Sequence, residues 1–168
     1  MDDIKIYDNF LENENFYDLQ EFILNDDFAW YYGTIISDKN SISNYQFVHY
    51  FYAGLVPYQG FEILEPILKI LEPKALDRVK VNCLPRSNEI IISGLHTDLD
   101  ETDIPWKTAL LYVNTNNGYT IFEDETKVES IENRLCVFPH QLKHSGTTCT
   151  DKNRRIVLNI NYISWYQQ

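Results

Sequence analysis

The chain has 168 residues and a mass of 19.9 kDa, which suits one domain better than two. Hydrophobic residues make up 44% of it and charged residues 23%, so we expect a packed globular protein and not a disordered chain. Its formal net charge of −11 argues against a general nucleic-acid binder and against docking on anionic lipid, because both need a surplus of Lys and Arg.

The first part of the chain is predicted to be helical and aromatic. Apolar residues recur at spacings of three and four between Phe10 and Leu24, with Asp8 or Asn9 as candidate N-caps. A second helical stretch is predicted for residues 61–71. Between them lies an aromatic belt, which consists of Trp30, Tyr31, Tyr32, Tyr45, Phe47, Tyr50, Phe51, Tyr52 and Tyr58.

Beyond about residue 78 the apolar runs become short, β-branched and bounded by turn residues, which is typical of strands. Many short strands without intervening helices indicate a sandwich or barrel and not a parallel α/β sheet. We therefore expect a single domain over residues 1–168, with a helical and aromatic part (1–78) in front of a β core (79–168). The predicted strands are 79–84, 90–98, 107–114, 118–122, 127–131, 135–139 and 155–163.

The segment His96-Thr97-Asp98 carries the clearest chemical signal. On a strand, residues i and i+2 point to the same face, so His96 and Asp98 would project together. His144 follows Asp98 by 46 residues, and a closed β-structure can bring it back beside them. Two histidines and one carboxylate on one side of a metal are typical of non-haem Fe(II) oxygenases. The alternative is that these histidines only satisfy hydrogen bonds in a core or at the surface.

Two further histidines are weighed against that set. His140 precedes His144 by four residues and competes with it as a ligand, although its Pro-His-Gln turn favours an exposed position. His49 lies within the aromatic belt, where we expect it to pack and not to bind a metal.

The last predicted strand alternates between an apolar and a mixed face. Ile156, Leu158, Ile160 and Tyr162 form the apolar face, which we expect between two sheets. The mixed face begins with Arg155 and would face a cavity, where a buried guanidinium needs an anion such as a carboxylate. The alternative is a surface arginine pair at a strand start, and this is the expected role of Arg154.

These residues resemble the Fe(II)/2-oxoglutarate-dependent dioxygenases, and among them the prolyl-4-hydroxylase-like branch. The likeness rests on His96-x-Asp98, on His144 and on an arginine that opens a strand about ten residues later. Residues 6–11 and 133–139 are also similar to segments of that family, so that the resemblance covers roughly residues 8–162. The chain departs from the pattern at Leu84, where members often have a tyrosine and where Asn82 is the neighbouring substitute, and it keeps Gly118 of a usual glycine pair.

The resemblance implies an α+β, mainly β fold: a double-stranded β-helix (jelly-roll, cupin-like) core with N-terminal flanking helices. It implies that His96, Asp98 and His144 bind Fe(II), and that Arg155, with Arg154 as the fallback, binds the distal carboxylate of 2-oxoglutarate. Tyr112 would reach the same carboxylate, unless it is simply a core tyrosine. The cosubstrates would be 2-oxoglutarate and O₂, with ascorbate as an accessory, and the products would include succinate and CO₂. The hydroxylated substrate would be a prolyl residue in a peptide or a small molecule.

Two other functions stay open: a metallohydrolase with the same three ligands, and a non-enzymatic jelly-roll module for binding or assembly. The acidic run at residues 98–103 is either a solvated loop or an attractor for a cationic substrate. Three cysteines without a C-x-x-C pair favour reduced thiols. With no signal peptide or long apolar run in the sequence, we expect a cytoplasmic monomer or homodimer that contacts neither nucleic acid nor membrane.

Overall fold

The computed structural model describes residues 4–34, 45–99 and 102–164. Its helices are α1 (Asn13–Leu24) and α2 (Glu65–Leu71), and a 3-10 turn at Phe61–Leu64 precedes α2. No helix among these residues is both long and apolar enough to span a membrane. The strands are β1 (Lys5–Tyr7), β2 (Tyr31–Thr34), β3 (Tyr45–Ala53), β4 (Val56–Pro57), β5 (Ala75–Pro85), β6 (Lys107–Tyr112), β7 (Tyr119–Phe122), β8 (Lys127–Glu129), β9 (Leu135–Pro139), β10 (His144–Gly146) and β11 (Arg154–Ile163).

Within the described ranges these strands form two antiparallel sheets. The larger sheet has the order β1-β9-β6-β11-β5-β3-β2, with β4 paired to β3, and the smaller sheet has the order β10-β7-β8. Side chains of both sheets share one hydrophobic cluster, to which β6, β9 and β11 contribute from the larger sheet and β7 and β8 from the smaller. The expected mainly β architecture with N-terminal helices is therefore confirmed.

One face of the larger sheet is covered by the helices, and the other face is turned toward the smaller sheet. Phe16, Leu19 and Ile23 of α1 are buried in one cluster with Ile67 and Leu71 of α2 and with the apolar residues of β5, β6 and β11. Each such side chain contributes about 2 kcal/mol to stability. The prediction that the apolar face of β11 lies between the sheets is thus wrong, because the helices cover that face. The mixed face of β11 is the one that faces the smaller sheet and a cavity, as expected.

Helix α1 begins later than the sequence pattern predicted. Asn9 has a positive φ of 51° and does not cap the helix, which starts at Asn13. Instead, Asn133 holds the preceding segment: its Nδ2 donates to the carbonyl of Leu11 at 2.8 Å, and its Oδ1 accepts from the Leu11 N–H at 2.9 Å. Strand β1 also pairs with β9. The two segments that contributed to the family resemblance, 6–11 and 133–139, are therefore neighbours in space.

The strand predictions hold for β5–β9 and β11, whereas one predicted strand is absent and the short strands β1, β4 and β10 were not predicted. Residues 90–98 form no strand and pair only through isolated bridges at Ile92 and His96. The segment carries Gly94, a residue that weakens strands, and it bonds to β10 and the residues after it at separate points and not as a continuous ladder. Conversely, the aromatic belt supplies β2 and β3, whose Tyr-, Phe- and Val-rich composition suits a strand but was not assigned to one.

Candidate metal centre and its cavity

His96, Asp98 and His144 lie side by side in the structure. The backbone N–H of His96 donates to the carbonyl of His144 at 3.0 Å, and the N–H of His144 donates back at 3.0 Å. His144 opens β10, while the other two residues lie in the irregular segment between β5 and β6. One ligand atom from each of the three residues lies within 4.8 Å of the others. The structure thus brings together the three residues that the sequence singled out.

Both imidazole rings have one nitrogen free for a metal. Nδ1 of His96 donates to the carbonyl of Gly94 at 3.1 Å, and Nδ1 of His144 donates to that of Leu142 at 3.2 Å. Because a carbonyl only accepts, the proton lies on Nδ1 and the lone pair lies on Nε2. Burial lowers the pKa of the His144 imidazole and outweighs the opposite effect of the Asp98 carboxylate. His144 is therefore held in the neutral form that binds metals.

Asp98 is fixed by donors from three strands, β5, β6 and β11. Its Oδ2 accepts from Asn159 Nδ2 at 2.9 Å, from Asn161 Nδ2 at 3.2 Å and from Thr108 Oγ1 at 3.2 Å. Nη2 of Arg78 lies 3.4 Å from its Oδ1. Burial by itself would raise the pKa of Asp98, but the nearby basic groups and the Asn159 amide lower it well below its usual range. The carboxylate is therefore ionised and oriented.

This donor set fits a divalent first-row metal ion with open coordination positions. Neither Nε2 atom has a hydrogen-bond partner among the residues that the structure describes, so both lone pairs are available. Two imidazoles and one carboxylate on one side of an ion are the arrangement associated with Fe(II) oxygenases. The residues present therefore fit the Fe(II) that the resemblance implies.

The remaining histidines lie elsewhere. The expectation that His140 is exposed is wrong: only 1% of it is accessible, because its backbone N–H donates to the carbonyl of Trp106 at 3.1 Å and folds the turn inward. His49 packs among aromatic rings as expected, with ring centroids 4.4 Å from Phe28 and 4.9 Å from Phe51. Among the described residues, neither belongs to the His-Asp-His cluster.

Arg155 is a buried guanidinium without a counter-ion. It is 2% exposed, and its Nε and Nη2 donate to Ser130 Oγ at 2.7 Å and to Thr120 Oγ1 at 3.1 Å. No described carboxylate lies within ion-pair distance of it, and burial lowers its pKa. Arg154, in contrast, donates to the carbonyl of Leu24 at 3.4 Å and does not line the cavity. The geometry therefore favours Arg155 over Arg154 as the residue that meets an anion.

Two glycines make room for the Arg155 side chain. A Cβ atom at Gly118 would lie 2.7 Å from Arg155 Cδ and 2.7 Å from the carbonyl oxygen of Thr148. A Cβ atom at Gly146 would lie 3.3 Å from Arg155 Nη1. Gly118 was noted in the sequence only as the remnant of a glycine pair, and the need for Gly146 was not foreseen. Both residues belong to the cradle of the guanidinium.

Tyr112 lies behind this guanidinium and not in the cavity wall. It is fully buried, its hydroxyl donates to Thr120 Oγ1 at 2.9 Å, and its ring centroid lies 5.6 Å from Arg155 Cζ. Burial raises the pKa of Tyr112, so that the phenol stays protonated. Thr120 lines the cavity between these two residues, and sequence reasoning did not single it out. Tyr112 therefore holds Thr120 and Arg155 in place.

The metal-binding cluster and Arg155 share a cavity of about 210 Å³. This is the space of about seven water molecules, which suits a small organic acid. Strand β5 contributes Arg78, Lys80 and Asn82, which alternate with the buried Val79, Val81 and Cys83. That alternation is visible in the sequence and could have assigned these side chains to the cavity. The other residues that line it are Gln46, Leu84, Ser93, Leu95, Thr97, Leu110, Thr120, Gly146, Val157 and Asn159.

Lys80 adds a second cation near the metal-binding cluster. Burial, together with the charge of Arg78, lowers the pKa of Lys80 to about 8, against the opposite effect of Asp98. The ammonium group is therefore still mostly protonated at pH 7.

No family model and no curated protein matches the sequence. Solved structures match over almost the whole chain. A prolyl hydroxylase from Trichoplax adhaerens, in complex with a hypoxia-inducible-factor peptide, is 16% identical with a TM-score of 0.71, over 95% of this chain and 83% of that one.

Two further neighbours extend the range of ligands. A viral collagen prolyl hydroxylase from Paramecium bursaria Chlorella virus-1, in complex with 2-oxoglutarate, is 18% identical with a TM-score of 0.62, over 95% of this chain and 96% of that one. The epimerase SnoN, in complex with Fe³⁺, α-ketoglutarate and a nogalamycin compound, is 12% identical with a TM-score of 0.66, over 96% of this chain and 78% of that one. The resemblance is thus confirmed for the fold: this chain has the double-stranded β-helix architecture of the Fe(II)/2-oxoglutarate oxygenases.

Proposed function

We propose that this protein is an Fe(II)- and 2-oxoglutarate-dependent oxygenase. In this proposal His96, Asp98 and His144 hold the metal, and Arg155 binds the distal carboxylate of 2-oxoglutarate. The observation that carries it is the buried Arg155 guanidinium, which has no carboxylate partner among the described residues and shares a cavity with the metal-binding cluster. Leaving a buried charge without its partner is destabilising by about 3–5 kcal/mol, so an anionic cosubstrate explains why the arginine is there.

Fe(II) and 2-oxoglutarate, once bound, would supply O₂ activation coupled to decarboxylation of 2-oxoglutarate to succinate and CO₂, with hydroxylation of the substrate. The chain's own residues bind and orient these groups. Thr120 and Ser130 hold the Arg155 guanidinium from one side, which leaves its Nη1 for a carboxylate. Leu110 and Val157 add apolar surface to the cavity that Arg155 shares with the metal-binding cluster.

The substrate proposed from the family likeness is a prolyl residue in a peptide, with a small molecule as the alternative. The structural neighbours support both substrate classes, since one was solved with a peptide and another with a nogalamycin compound. Ascorbate would serve as an accessory reductant, as in the family that the sequence resembles.

The test is an anaerobic titration of metal-free protein with Fe(II) and then with 2-oxoglutarate, followed by visible absorption. We expect the weak charge-transfer band of the Fe(II)·2-oxoglutarate chelate in the wild type and its loss in His96→Ala. Arg155→Met should weaken 2-oxoglutarate binding by about 100-fold, or about 2.7 kcal/mol, and leave Fe(II) binding unchanged. The matched control is Arg154→Met, which should behave as the wild type.

Each alternative function gives a different outcome. A metallohydrolase would bind the metal but form no band and no succinate, and it provides no reason for the buried Arg155. A non-enzymatic module would bind neither Fe(II) nor 2-oxoglutarate, and its function would survive His96→Ala. Either result would overturn the oxygenase proposal.

A further inference from the structure

We propose that Lys80 binds a carboxylate of the substrate, so that the molecule hydroxylated at this site is an acid. This inference rests on the proposed function and narrows its substrate class. It starts from the position of Lys80 in the cavity and from the charges around it.

The Lys80 ammonium group is a cation without a bonding partner. It makes no hydrogen bond and no ion pair with any residue in the ranges 4–34, 45–99 and 102–164. Its neighbour on the same face, Arg78, differs in this respect, because Nη2 of Arg78 contacts the Asp98 carboxylate and donates to Asn161 Oδ1 at 3.0 Å. Arg78 is thus hydrogen-bonded to the metal-binding cluster, whereas Lys80 acts on Asp98 through its charge.

The charges of the cavity leave room for an additional anion. Among the described residues that line it, three are cations (Arg78, Lys80 and Arg155) and one, Asp98, is a carboxylate. The charges of Fe(II) and of the 2-oxoglutarate dianion would cancel, so the three cationic side chains would still outnumber the one carboxylate. The chain as a whole has a formal net charge of −11, which shows that this positive cavity is a local feature. A positively charged cleft attracts ligands of opposite sign.

The sheet register separates Lys80 from the arginine assigned to 2-oxoglutarate. Lys80 pairs with Asn159 across β5 and β11, whereas Arg155 pairs with Leu84. The two cations are therefore four residues apart along the sheet, which is roughly 13 Å of strand. Asn159 is also one of the residues that donate to Asp98, so Lys80 lies at the metal end of the cavity. An anion that connects Arg155 with the metal leaves Lys80 for a second ligand.

One alternative in the sequence analysis was that the acidic segment at residues 98–103 attracts a cationic substrate. Asp100 and Glu101 of that segment lie outside the described residues. The interior of the cavity favours the opposite charge. A carboxylate can come from two sources, a free amino acid or other small acid, and an acidic side chain beside the reacting residue of a peptide.

The experiment is isothermal titration calorimetry on protein loaded with Zn(II) and N-oxalylglycine, which occupy the metal and the Arg155 end. The probes are free L-amino acids, including L-proline, and the corresponding carboxamides, together with end-blocked prolyl peptides with and without a glutamate next to the proline. The proteins are the wild type, Lys80→Met, Lys80→Arg and the exposed control Lys152→Met.

We expect an acid to bind the wild type at least tenfold more tightly than its amide, and Lys80→Met to abolish this difference. Lys80→Arg should retain part of it, and Lys152→Met all of it. Preference for the free acid identifies a small-molecule substrate, and preference for the glutamate peptide identifies an acidic peptide. The inference is overturned if acids and amides bind alike across the panel, or if Lys80→Met leaves the difference intact.

A third result would also overturn the inference. If Lys80→Met weakens the binding of N-oxalylglycine as strongly as Arg155→Met does, Lys80 binds the cosubstrate and not the substrate. Failure of the proposed function is separable, because it appears as failure to load Zn(II) and N-oxalylglycine. In that case the comparison of acids with amides is made on metal-free Arg155→Met protein, where the same Lys80 substitution decides the inference.

Discussion

The two ends of the cavity use charge in opposite ways. At one end the Asp98 carboxylate accepts from two amides and one hydroxyl and forms an ion pair with the Arg78 guanidinium. At the other end the Arg155 guanidinium donates to the hydroxyls of Ser130 and Thr120 and lies near the Tyr112 ring, with no carboxylate partner among the residues that the structure describes. A charge with a full set of partners is part of the folded structure, whereas a buried charge without a counter-ion lowers the stability of the free protein until a ligand binds. The comparison predicts that removing the charged group at one end changes stability with the opposite sign from removing it at the other end.

Asp98→Ala should have the largest effect. It removes the carboxylate to which Asn159, Asn161 and Arg78 donate and leaves buried donors and a buried cation without it, so we expect the free energy of unfolding to fall by about 3–5 kcal/mol. Metal binding should be lost as well. The measurement is urea denaturation of metal-free protein, with the exposed Asp103→Ala as control. A decrease of less than about 1 kcal/mol would mean that this end is not the satisfied one.

Arg155→Met should act in the opposite direction. Removing a buried charge that has no counter-ion should raise the free energy of unfolding of the ligand-free protein by about 1–4 kcal/mol. The same substitution should weaken 2-oxoglutarate binding, so stability and ligand affinity change in opposite senses. Denaturation with and without 2-oxoglutarate measures both quantities. A destabilised Arg155→Met protein would show that the arginine is a structural element.

Gly118→Ala should disturb the Arg155 end without touching a charge. The added methyl group would press on Arg155 Cδ and on the Thr148 carbonyl, and such overpacking destabilises by about 1–3 kcal/mol. We also expect weaker 2-oxoglutarate binding and unchanged metal binding. Gly33→Ala is the matched control, since its nearest neighbour would be an ordinary 3.6 Å away. Equal effects of both substitutions would argue against a cradle at Gly118.

Tyr112→Phe should have the smallest effect. It removes one hydrogen bond to Thr120 and leaves the ring against Arg155, so a loss of about 1 kcal/mol in stability is expected. Because Thr120 and not Tyr112 lines the cavity, 2-oxoglutarate affinity should change less than threefold, as measured by calorimetry. A tenfold loss would instead support direct contact between the Tyr112 hydroxyl and the ligand.

The sequence predicted those parts of the site that follow from local periodicity. Alternation along β11 assigned Arg155 to a cavity, because residues two apart share a face of a strand. The sequence also predicted that the side chains of His96 and Asp98 lie close together, but it did so on the assumption that both residues belong to one strand. The segment is not a strand, and a reciprocal bridge to His144 positions His96. That bridge depends on a contact between residues 48 positions apart, which no local pattern encodes.

Other parts of the structure lay beyond local reasoning. The burial of His140 depends on a turn that folds back to Trp106, and the apolar face of β11 could not reveal whether helices or a second sheet would cover it. Lys80 and Arg78, in contrast, could have been assigned to the cavity from the alternation of β5. What the alternation could not predict is that, among the described residues, Arg78 forms hydrogen bonds through its side chain and Lys80 does not.

The bridge between His96 and His144 has a consequence for the lifetime of the protein. It connects the irregular segment at residues 90–98 to β10, and a bound metal would connect the same two segments through its ligands. A ligand present at 100 times its dissociation constant stabilises the folded state by about 2.7 kcal/mol. Because proteases attack segments that open locally, metal supply would then determine how long a molecule survives as well as whether it is active. Metal-starved copies would be cut first at this segment, so degradation would remove the molecules that cannot work.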